Sequence, residues 1–376
     1  MRRHSKIQVM VETKIPWWQV DFGASAAEAI RDEVLAKRLS MGSTTRAFEE
    51  RIKEVLNVRH CVATGSGTTA LLMAMIALEI NSQEKIAIQD RSWISAAHAA
   101  HLLKAEIILL DVMRESPVLD REALFKAFDL NPKCVVVIHM NGRSRHIEEI
   151  SAECKKRGIF LIEDAAQAIG SKVNNQFLGT FGDIGCFSLA LTKTISSGQG
   201  GFCVTNDERI FKALRDIRSH GMGDVFFPEW NTFGMNFRFT DLQSSLAINQ
   251  LSELNFRLER QIEIRNKYIW GTQGLMNVQM IPMNFNFGEN GPYFDCKVPN
   301  VQIFTKKMNE FGIQVRPFYP SLSTASYLNI QDRESTPNAV FWHSHGVSLP
   351  SGPHLTDSQV NRVIEVLHLV DPNLCE

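Results

Sequence analysis

Short apolar runs alternate with helical patterns through the first half of the chain. Four largely apolar runs, each bounded by polar residues, span 85–89, 106–110, 134–138 and 159–162. Continuous apolar runs of this length are typical of strands in a parallel sheet that is covered on both faces. Helical segments lie between the runs, as at 146–156, where the apolar side chains share one side. The alternation predicts a doubly wound α/β domain.

The second half of the chain has a different pattern. Residues 240–243 fit a capping box, which predicts a long helix that runs through Leu254. A second capping box at 356–359 predicts the last helix, whose apolar positions fall on one face. Between these helices, residues 270–350 are rich in Gly, Pro, Asn and Ser and contain short strand-like pieces. This composition, with its short strand-like pieces, predicts a smaller α+β unit.

Length and charge limit the classes of protein to which the chain can belong. The 376 residues predict about two domains, and we place a large one at 1–254, N-terminal arm included, and a smaller one at 255–376. Lys and Arg number 40 against 41 Asp and Glu, so the formal net charge is −1. This balance gives no electrostatic reason to expect nucleic acid or an anionic membrane as a partner.

The sequence shows no pattern of a secreted or membrane-spanning protein. Arg2 and Arg3 are not followed by a continuous apolar segment, because Glu12, Lys14 and Gln19 interrupt it. The longest apolar stretches reach about eight residues, whereas a helix needs roughly 20 to span a bilayer. We therefore expect a cytoplasmic protein with no membrane partner.

The cysteines predict neither disulfides nor a metal site. There are seven, an odd number, and none forms a Cys-X-X-Cys pair. Several lie within apolar runs, which is typical of buried, reduced thiols. We expect no zinc or other metal.

Asp164 lies where a buried strand is predicted to end. The segment 160–167 passes from apolar residues into Glu163 and Asp164. Ligands of open α/β sheets bind beyond the carboxyl ends of the strands, so Asp164 would be partly desolvated there and would need a partner. A helix N-cap is the alternative interpretation of this aspartate.

Lys193 follows a second strand-like segment and precedes the glycine-rich turn 196–201. Burial in such apolar surroundings lowers the pKa of a lysine, and the neutral amine is the nucleophile that forms Schiff bases. The alternative is an ordinary surface lysine.

A glycine-containing turn at 63–69 opens a predicted helix. Its glycines allow close approach of the backbone to a ligand, and free N–H groups at a helix N-terminus bind phosphate. The turn matches neither G-x-G-x-x-G nor a Walker sequence, and a plain N-cap turn explains it equally well. Together with Lys193 and Asp164, however, the turn supplies what a site for pyridoxal 5'-phosphate (PLP) needs. These are an imine-forming lysine, a carboxylate for the pyridine nitrogen and a phosphate cradle.

The motifs also occur in a familiar order. The chain resembles the DegT/DnrJ/StrS sugar aminotransferases over nearly its whole length, through Met41-Gly42, Phe48-Glu49, Ser66-Gly67-Thr68, Glu163-Asp164-Ala165-Ala166-Gln167, Gly182-Asp183, Phe187-Ser188, Lys193, Gly200-Gly201 and Gly234-Met235-Asn236-Phe237-Arg238. The resemblance implies the fold type I aminotransferase architecture. In it, a large, doubly wound, mostly parallel seven-stranded sheet domain is followed by a smaller C-terminal α+β domain.

The same resemblance implies roles for individual residues. Lys193 would form the Schiff base and move the proton, and Asp164 would pair with the pyridinium nitrogen. Gln167 would lie near the ring and its phenolic oxygen, and Trp93 would stack on the ring. The phosphate would be held by Ser66, Gly67, Thr68 and Ser188.

Two further residues would act between subunits or near the substrate. Asn236 matches a residue that reaches the phosphate of the neighbouring subunit, so the resemblance implies a homodimer with shared active sites. Arg238, in the same loop, would position the loop or the substrate. Arg316 falls where the family places a residue near the substrate.

The sequence departs from the family pattern at two places. Gln199 replaces the glutamate of the usual Gly-Glu-Gly-Gly turn. The segment 139–146 is unusually basic, so Arg143 and Arg145 would bind a phosphate or carboxylate of the substrate or would belong to a solvated loop.

The implied reaction is a transamination. Related dehydratases carry histidine in place of the lysine, and Lys193 favours amino transfer. L-Glutamate would convert the cofactor to pyridoxamine 5'-phosphate, and a keto-sugar, nucleotide-linked, would accept the amine. The product would be an amino-deoxy sugar of a natural product or of a surface polysaccharide such as lipopolysaccharide. Two alternatives stay open: an acceptor that is a keto-sugar acid or sugar phosphate without a nucleotide, and a non-catalytic PLP-binding regulatory homologue.

Overall fold

Helices lie on both faces of a central sheet and around a second, smaller sheet. The computed structural model describes residues 14–222, 229–230 and 232–374, which leaves out residues 1–13, with Arg2, Arg3 and Glu12, and also Cys375. The helices are α1 Gly23–Leu35, α2 Ser43–Leu56, α3 Gly67–Ala77, α4 Ser95–Leu102, α5 Arg121–Ala127, α6 Ile147–Arg157, α7 Glu208–Arg218, α8 Asp241–Ser252, α9 Leu254–Gly271, α10 Val301–Glu310, α11 Pro337–His345 and α12 Asp357–Val370.

The strands form a seven-stranded sheet, a four-stranded sheet and a two-stranded ribbon. They are β1 His60–Thr64, β2 Lys85–Gln89, β3 Glu106–Leu110, β4 Cys134–Ile138, β5 Phe160–Asp164, β6 Lys172–Val173, β7 Gln176–Phe177, β8 Ile184–Ser188, β9 Gly201–Thr205, β10 Gln279–Met280, β11 Phe294–Lys297, β12 Arg316–Pro317 and β13 Gly346–Leu349.

The large sheet has the predicted mostly parallel arrangement. Its order is β1-β9-β8-β5-β4-β2-β3, and β9 runs antiparallel to both of its neighbours while the other pairs are parallel. Strands β2, β3 and β4 have the bounds that the apolar runs predicted, whereas β5 begins one residue later than predicted and ends two residues later, at Asp164. Successive residues of β4 contribute to opposite apolar cores, since Val135 packs on one face and Val136 on the other. This double burial explains why the strands are continuous apolar runs.

The capping boxes are confirmed, but the long helix after the first box is interrupted. Thr240 Oγ1 accepts a hydrogen bond from the backbone N–H of Gln243, and Gln243 Oε1 accepts one from the N–H of Thr240. Helix α8 ends at Ser252, and α9 begins at Leu254. The second box, at Thr356 and Gln359, opens α12.

The smaller sheet, ordered β10-β11-β13-β12, is antiparallel throughout. It shares one apolar core with α9, α10 and α12. The N-terminal segment joins this core, because Ile15 is 6% exposed within it and bridges to Ile313. The predicted division at 254/255 falls beside the start of α9 and stays a prediction. Ile15, which that division assigns to the large unit, packs in the core of the smaller sheet.

The described cysteines are buried free thiols: Cys61, Cys134, Cys154, Cys186, Cys203 and Cys296. Burial raises the pKa of the Cys154 thiol to about 12, so it stays protonated at neutral pH. Within the described ranges, no group of three or more His, Cys, Asp or Glu side chains could hold a metal ion. Over the same ranges, no helix has the length and apolar character to cross a membrane.

Candidate active site

A cavity of about 240 Å³ lies at the carboxyl ends of β5 and β8, facing the N-terminus of α3. The structure brings together there the residues predicted to bind the cofactor within one subunit: Ser66, Gly67, Thr68, Trp93, Asp164, Gln167, Ser188 and Lys193. Arg316 also lines the cavity. The position agrees with the rule that open α/β sheets bind ligands beyond the carboxyl ends of their strands.

The N-terminus of α3 forms a tightly packed cradle on one wall. Ser66 is the N-cap: its Oγ accepts a hydrogen bond from Thr69 N at 3.1 Å, and Thr69 Oγ1 accepts one from Ser66 N at 2.9 Å. A Cβ added to Gly67 would lie 2.9 Å from Ser188 Cβ, so only glycine lets helix and strand approach this closely. Thr68 Oγ1 lies 3.0 Å from Ser95 Oγ beside the same helix end. The arrangement suits a phosphate, which free N–H groups at a helix start bind.

Asp164 is the last residue of β5, and its side chain is buried. Its Oδ1 accepts a hydrogen bond from Ala166 N at 3.0 Å. This bond closes a turn, and no helix follows directly, so the N-cap interpretation of Asp164 is wrong. Burial raises the pKa of the Asp164 carboxyl, while the Ala166 N–H and Lys193 oppose that rise. A buried carboxylate of this kind is stabilised by a positively charged N–H group, which a protonated pyridine provides.

Lys193 lies in the turn after β8, next to Tyr293. Its Nζ is 3.5 Å from Tyr293 Oη, and Thr192 Oγ1 lies 3.1 Å from the same oxygen. Burial lowers the pKa of the Lys193 ammonium, and Tyr319 and Asp164 partly offset this effect. Burial also raises the pKa of Tyr293 to about 12, so its hydroxyl is neutral and does not hold the lysine in its charged form. The surroundings therefore favour the nucleophilic amine.

A buried contact between a histidine and a carboxyl group lies beside Asp164. His139 lines the cavity, and its Nε2 lies 2.7 Å from Glu163 Oε2. Glu163 also accepts hydrogen bonds from the backbone N–H groups of Gly179, Phe181 and Gly182 at 2.6–2.8 Å. No role was predicted for His139 or Glu163 from the sequence. The sequence contained evidence for both residues, because His139 follows a predicted strand and Glu163 lies in the Glu-Asp-Ala-Ala-Gln motif.

Aromatic rings form the outer wall of the cavity. Trp93 follows β2, is half exposed, and meets Tyr319 edge-on with ring centroids 4.8 Å apart. Trp93 thus presents a ring at the cavity, where stacking on a cofactor was predicted. The sequence analysis missed Tyr319, which comes from the distant segment after β12 and whose proximity depends on the tertiary fold.

The structure corrects the substrate role predicted for Arg143. Its side chain is 2% exposed, and its Nη1 lies 2.7 Å from Asp295 Oδ2. Its Nε and Nη2 donate to the carbonyls of Pro282 and Ile281. These contacts occupy the guanidinium, so Arg143 joins the loop after β4 to β11 and is neither a free anion site nor part of a solvated loop. The sequence could not show this, since Asp295 lies 152 residues away.

Asn236 and Arg238 lie outside the cavity wall of this subunit. Asn236 is exposed, and its Oδ1 accepts a hydrogen bond from Arg238 N at 3.4 Å. Arg238 Nε lies 3.5 Å from Ser219 Oγ. An exposed Asn236 is compatible with action on a second subunit, which stays a prediction.

Comparisons with known proteins agree with this geometry. A model of the DegT/DnrJ/EryC1/StrS aminotransferase family matches residues 21–368. The chain is 26% identical to GDP-perosamine synthase of Vibrio cholerae, over 86% of this chain and 90% of that protein. It is 27% identical to GDP-perosamine synthase of Escherichia coli O157:H7, over 88% of this chain and 90% of that one.

The fold is also known from solved structures. Helicobacter pylori PseC, an aminotransferase involved in the biosynthesis of pseudoaminic acid, superimposes with a TM-score of 0.88 at 22% identity, covering 96% of this chain and all of that one. The predicted fold type I aminotransferase architecture is thereby confirmed. With a family model that spans most of its length, the chain belongs to the DegT/DnrJ/EryC1/StrS aminotransferases and is a PLP-dependent enzyme.

Proposed function

We propose that this enzyme transfers an amino group from L-glutamate to a nucleotide-linked keto-sugar. The observation that carries the proposal is the cavity in which Lys193, Asp164 and the N-terminus of α3 meet. The names of the relatives support a sugar substrate, since two are GDP-perosamine synthases. The product would enter a natural product or a surface polysaccharide, for example a lipopolysaccharide.

The residues of the cavity fit PLP. Ser66, Thr68, Ser188 and the N–H groups that begin α3 would hold the phosphate, and Gly67 leaves the space that a side chain would fill. Asp164 would accept a hydrogen bond from the pyridine nitrogen and keep it protonated. When bound, PLP supplies an electron sink for the carbon that exchanges its amino group.

The chain itself supplies the proton transfers and the shielding. Lys193, whose pKa is lowered by burial, would take a proton as a neutral amine from the carbon that loses its amino group. It would then deliver this proton as an ammonium to the carbon on the other side of the transferred nitrogen. Trp93 and Tyr319 line the outer wall of the cavity and would shield the reacting atoms from water. Lysine rather than histidine at position 193 favours amino transfer over dehydration.

We propose in addition that the enzyme is a cytoplasmic homodimer. Asn236 would then reach the phosphate bound by the neighbouring subunit, and Arg238 would hold the loop in place. The exposure of Asn236 on the subunit surface supports this arrangement.

Of two other candidate functions, only the first has support. A keto-sugar acid or sugar phosphate without a nucleotide would suit the arginines near the cavity, of which Arg316 lines the wall. A non-catalytic PLP-binding regulator would need no competent lysine, and the placement of Lys193 beside Asp164 argues against it.

Absorption spectroscopy of the purified protein with PLP tests the reaction. The wild type should show the visible band of a PLP–lysine imine, L-glutamate should bleach it, and a suitable keto-sugar should restore it. The variant K193A should bind PLP without this band. Absence of the band from the wild type would contradict the enzyme function.

A panel of acceptors with and without a nucleotide identifies the substrate class. Fastest recovery of the absorption band with a nucleotide-free acceptor would favour a keto-sugar acid or sugar phosphate as the substrate.

A further inference from the structure

A narrow cleft opens beside the active-site cavity and contains a buried arginine. Arg91, at the end of β2, is 2% exposed and lines the cleft. Gln167, Arg316 and Tyr319 line both the cleft and the active-site cavity, so the two spaces are neighbours. We propose that Arg91, together with Arg316, binds a carboxylate group of the substrate in this cleft.

Aromatic rings orient both guanidinium groups. Arg91 Cζ lies 4.0 Å from the centroid of Phe318 and 5.4 Å from that of Tyr319. Arg316 Cζ lies 4.8 Å from the same Tyr319 ring and 4.5 Å from Trp17. Stacking of this kind fixes the plane of a guanidinium and leaves the N–H groups at its edge to bind an oxyanion.

Two of the three guanidinium nitrogens of Arg91 have no acceptor in the described part of the chain. Its Nε and Nη1 are buried without a hydrogen-bond partner. Buried polar groups are nearly always hydrogen-bonded, and an unpaired buried cation is costly. Burial lowers the pKa of Arg91 to about 10, so the group is still charged at neutral pH. The site therefore has a positive charge that a ligand can neutralise.

Neighbouring carboxylates are engaged elsewhere. Asp295 Oδ2 accepts hydrogen bonds from Arg143 at 2.7 Å and Asn141 at 2.9 Å, and its Oδ1 accepts one from Ser348. Asp90 precedes Arg91, but its carboxylate accepts hydrogen bonds from Ser321, Leu322 N and Thr336. Asp295, which lines the cleft, and Asp90 therefore attract Arg91 only through space and accept no hydrogen bond from its Nε or Nη1.

The size of the cleft limits which chemical group of a ligand can enter it. The free space is about 10 Å³, roughly that of one water molecule. A sugar ring or a tetrahedral phosphate is too large, whereas one oxygen of a carboxylate is about the size of a water molecule and can accept hydrogen bonds from the guanidinium. The remainder of the ligand would extend into the main cavity beside Lys193. This inference rests on the proposed function for the reaction, and two sources of carboxylate are open: the amino donor or a keto-sugar acid acceptor.

Calorimetric titration of the holoenzyme with two non-reacting probes tests the site. Glutarate represents the donor, and 3-deoxy-octulosonate, whose carbonyl is closed in the ring, represents an acidic acceptor. We expect R91M to weaken binding of at least one probe by about tenfold to a hundredfold, as for a lost charge-assisted pair. The affected probe identifies the source. R91K keeps the positive charge but lacks the planar guanidinium, so it should weaken binding of the same probe to a smaller extent. R91K replaces R91M if that variant does not fold.

The matched control is R114M. Arg114 is also stacked on an aromatic ring, with Cζ 3.2 Å from the centroid of Phe341, but it is exposed and lies outside the cleft. R114M should bind both probes like the wild type. Unchanged binding of both probes by R91M and R91K, or no binding by the wild type, would overturn the inference. The titration is independent of turnover, so loss of the proposed reaction would appear separately, as an absent or unbleached absorption band.

Discussion

His139 Nε2 lies 2.7 Å from Glu163 Oε2, and the two side chains are 1% and 0% exposed. The backbone N–H of His139 donates to the carbonyl of Asp164, so the pair is fixed directly beside the predicted pyridine partner. Glu163 also accepts hydrogen bonds from the N–H groups of Phe181 and Gly182, each at 2.6 Å. One buried carboxyl group on β5 therefore joins the residue that follows β4 to the loop that leads into β8.

Replacement of Glu163 by glutamine should destabilise the protein. Glutamine has one oxygen acceptor in place of two, so the variant leaves one or more of the backbone N–H groups of Gly179, Phe181 and Gly182 without an acceptor. We expect E163Q to lower the free energy of unfolding by about 3 kcal/mol, as for other broken buried pairs. Urea unfolding measures this loss. E149Q is the control, because Glu149 pairs with Arg121 at the surface and should change stability by less than about 1 kcal/mol. Equal effects of the two variants would contradict a structural role for Glu163.

A methyl group at Gly67 should weaken cofactor binding. The added Cβ would lie 2.9 Å from Ser188 Cβ, so α3 or β8 must move and disturb the phosphate cradle. We expect G67A to raise the dissociation constant of PLP about tenfold, equal to about 1.4 kcal/mol. Fluorescence titration of the apoprotein measures it.

The neighbouring glycine provides the control for that experiment. A Cβ added to Gly65 would meet nothing within 4 Å, although Gly65 lies only two residues away in the same turn. G65A should bind PLP like the wild type. If both variants bind PLP normally, the cradle is not the phosphate site.

Local patterns were sufficient for the strands and caps, whereas contacts between distant segments were not predictable. Strand β4 appears as a continuous apolar run because both of its faces are buried, and Ser66 caps α3 through residues three positions away. The pairing of Arg143 with Asp295 spans 152 residues and depends on where β11 packs. The place of Tyr319 beside Trp93 likewise follows from the chain's return to the large sheet, which no local periodicity encodes.

Asp164 should destabilise the apoprotein at neutral pH, although it would stabilise the bound cofactor. Its folded pKa is raised by burial, so at pH values between the unfolded and the folded pKa the folded state holds a proton that the unfolded state has already released. Stability contributed by this group is therefore complete below the unfolded pKa of about 3.9 and is lost as pH rises through the folded pKa.

The isosteric variant D164N separates these two effects. At neutral pH we expect apo D164N to melt a few degrees higher than the apo wild type, and the difference should vanish below about pH 4. Its affinity for PLP should fall, because a neutral amide no longer stabilises a pyridinium. Thermal unfolding at several pH values and PLP titration measure the two. D129N, at an exposed aspartate, should melt like the wild type at every pH, and a D164N apoprotein less stable than the wild type at neutral pH would refute the argument.

Mixed dimers should show whether the active sites are shared between subunits. In a dimer of one K193A and one N236A subunit, an Asn236 that acts across the interface would leave one site with both lesions and one with neither. Loss of a hydrogen bond to a charged phosphate should weaken PLP binding by N236A homodimers about tenfold or more, so they should be nearly inactive at limiting PLP. The mixed dimer should then have about half of the wild-type activity. If Asn236 instead served its own subunit, each site would carry one lesion, and the mixed dimer would be no more active than its inactive parents.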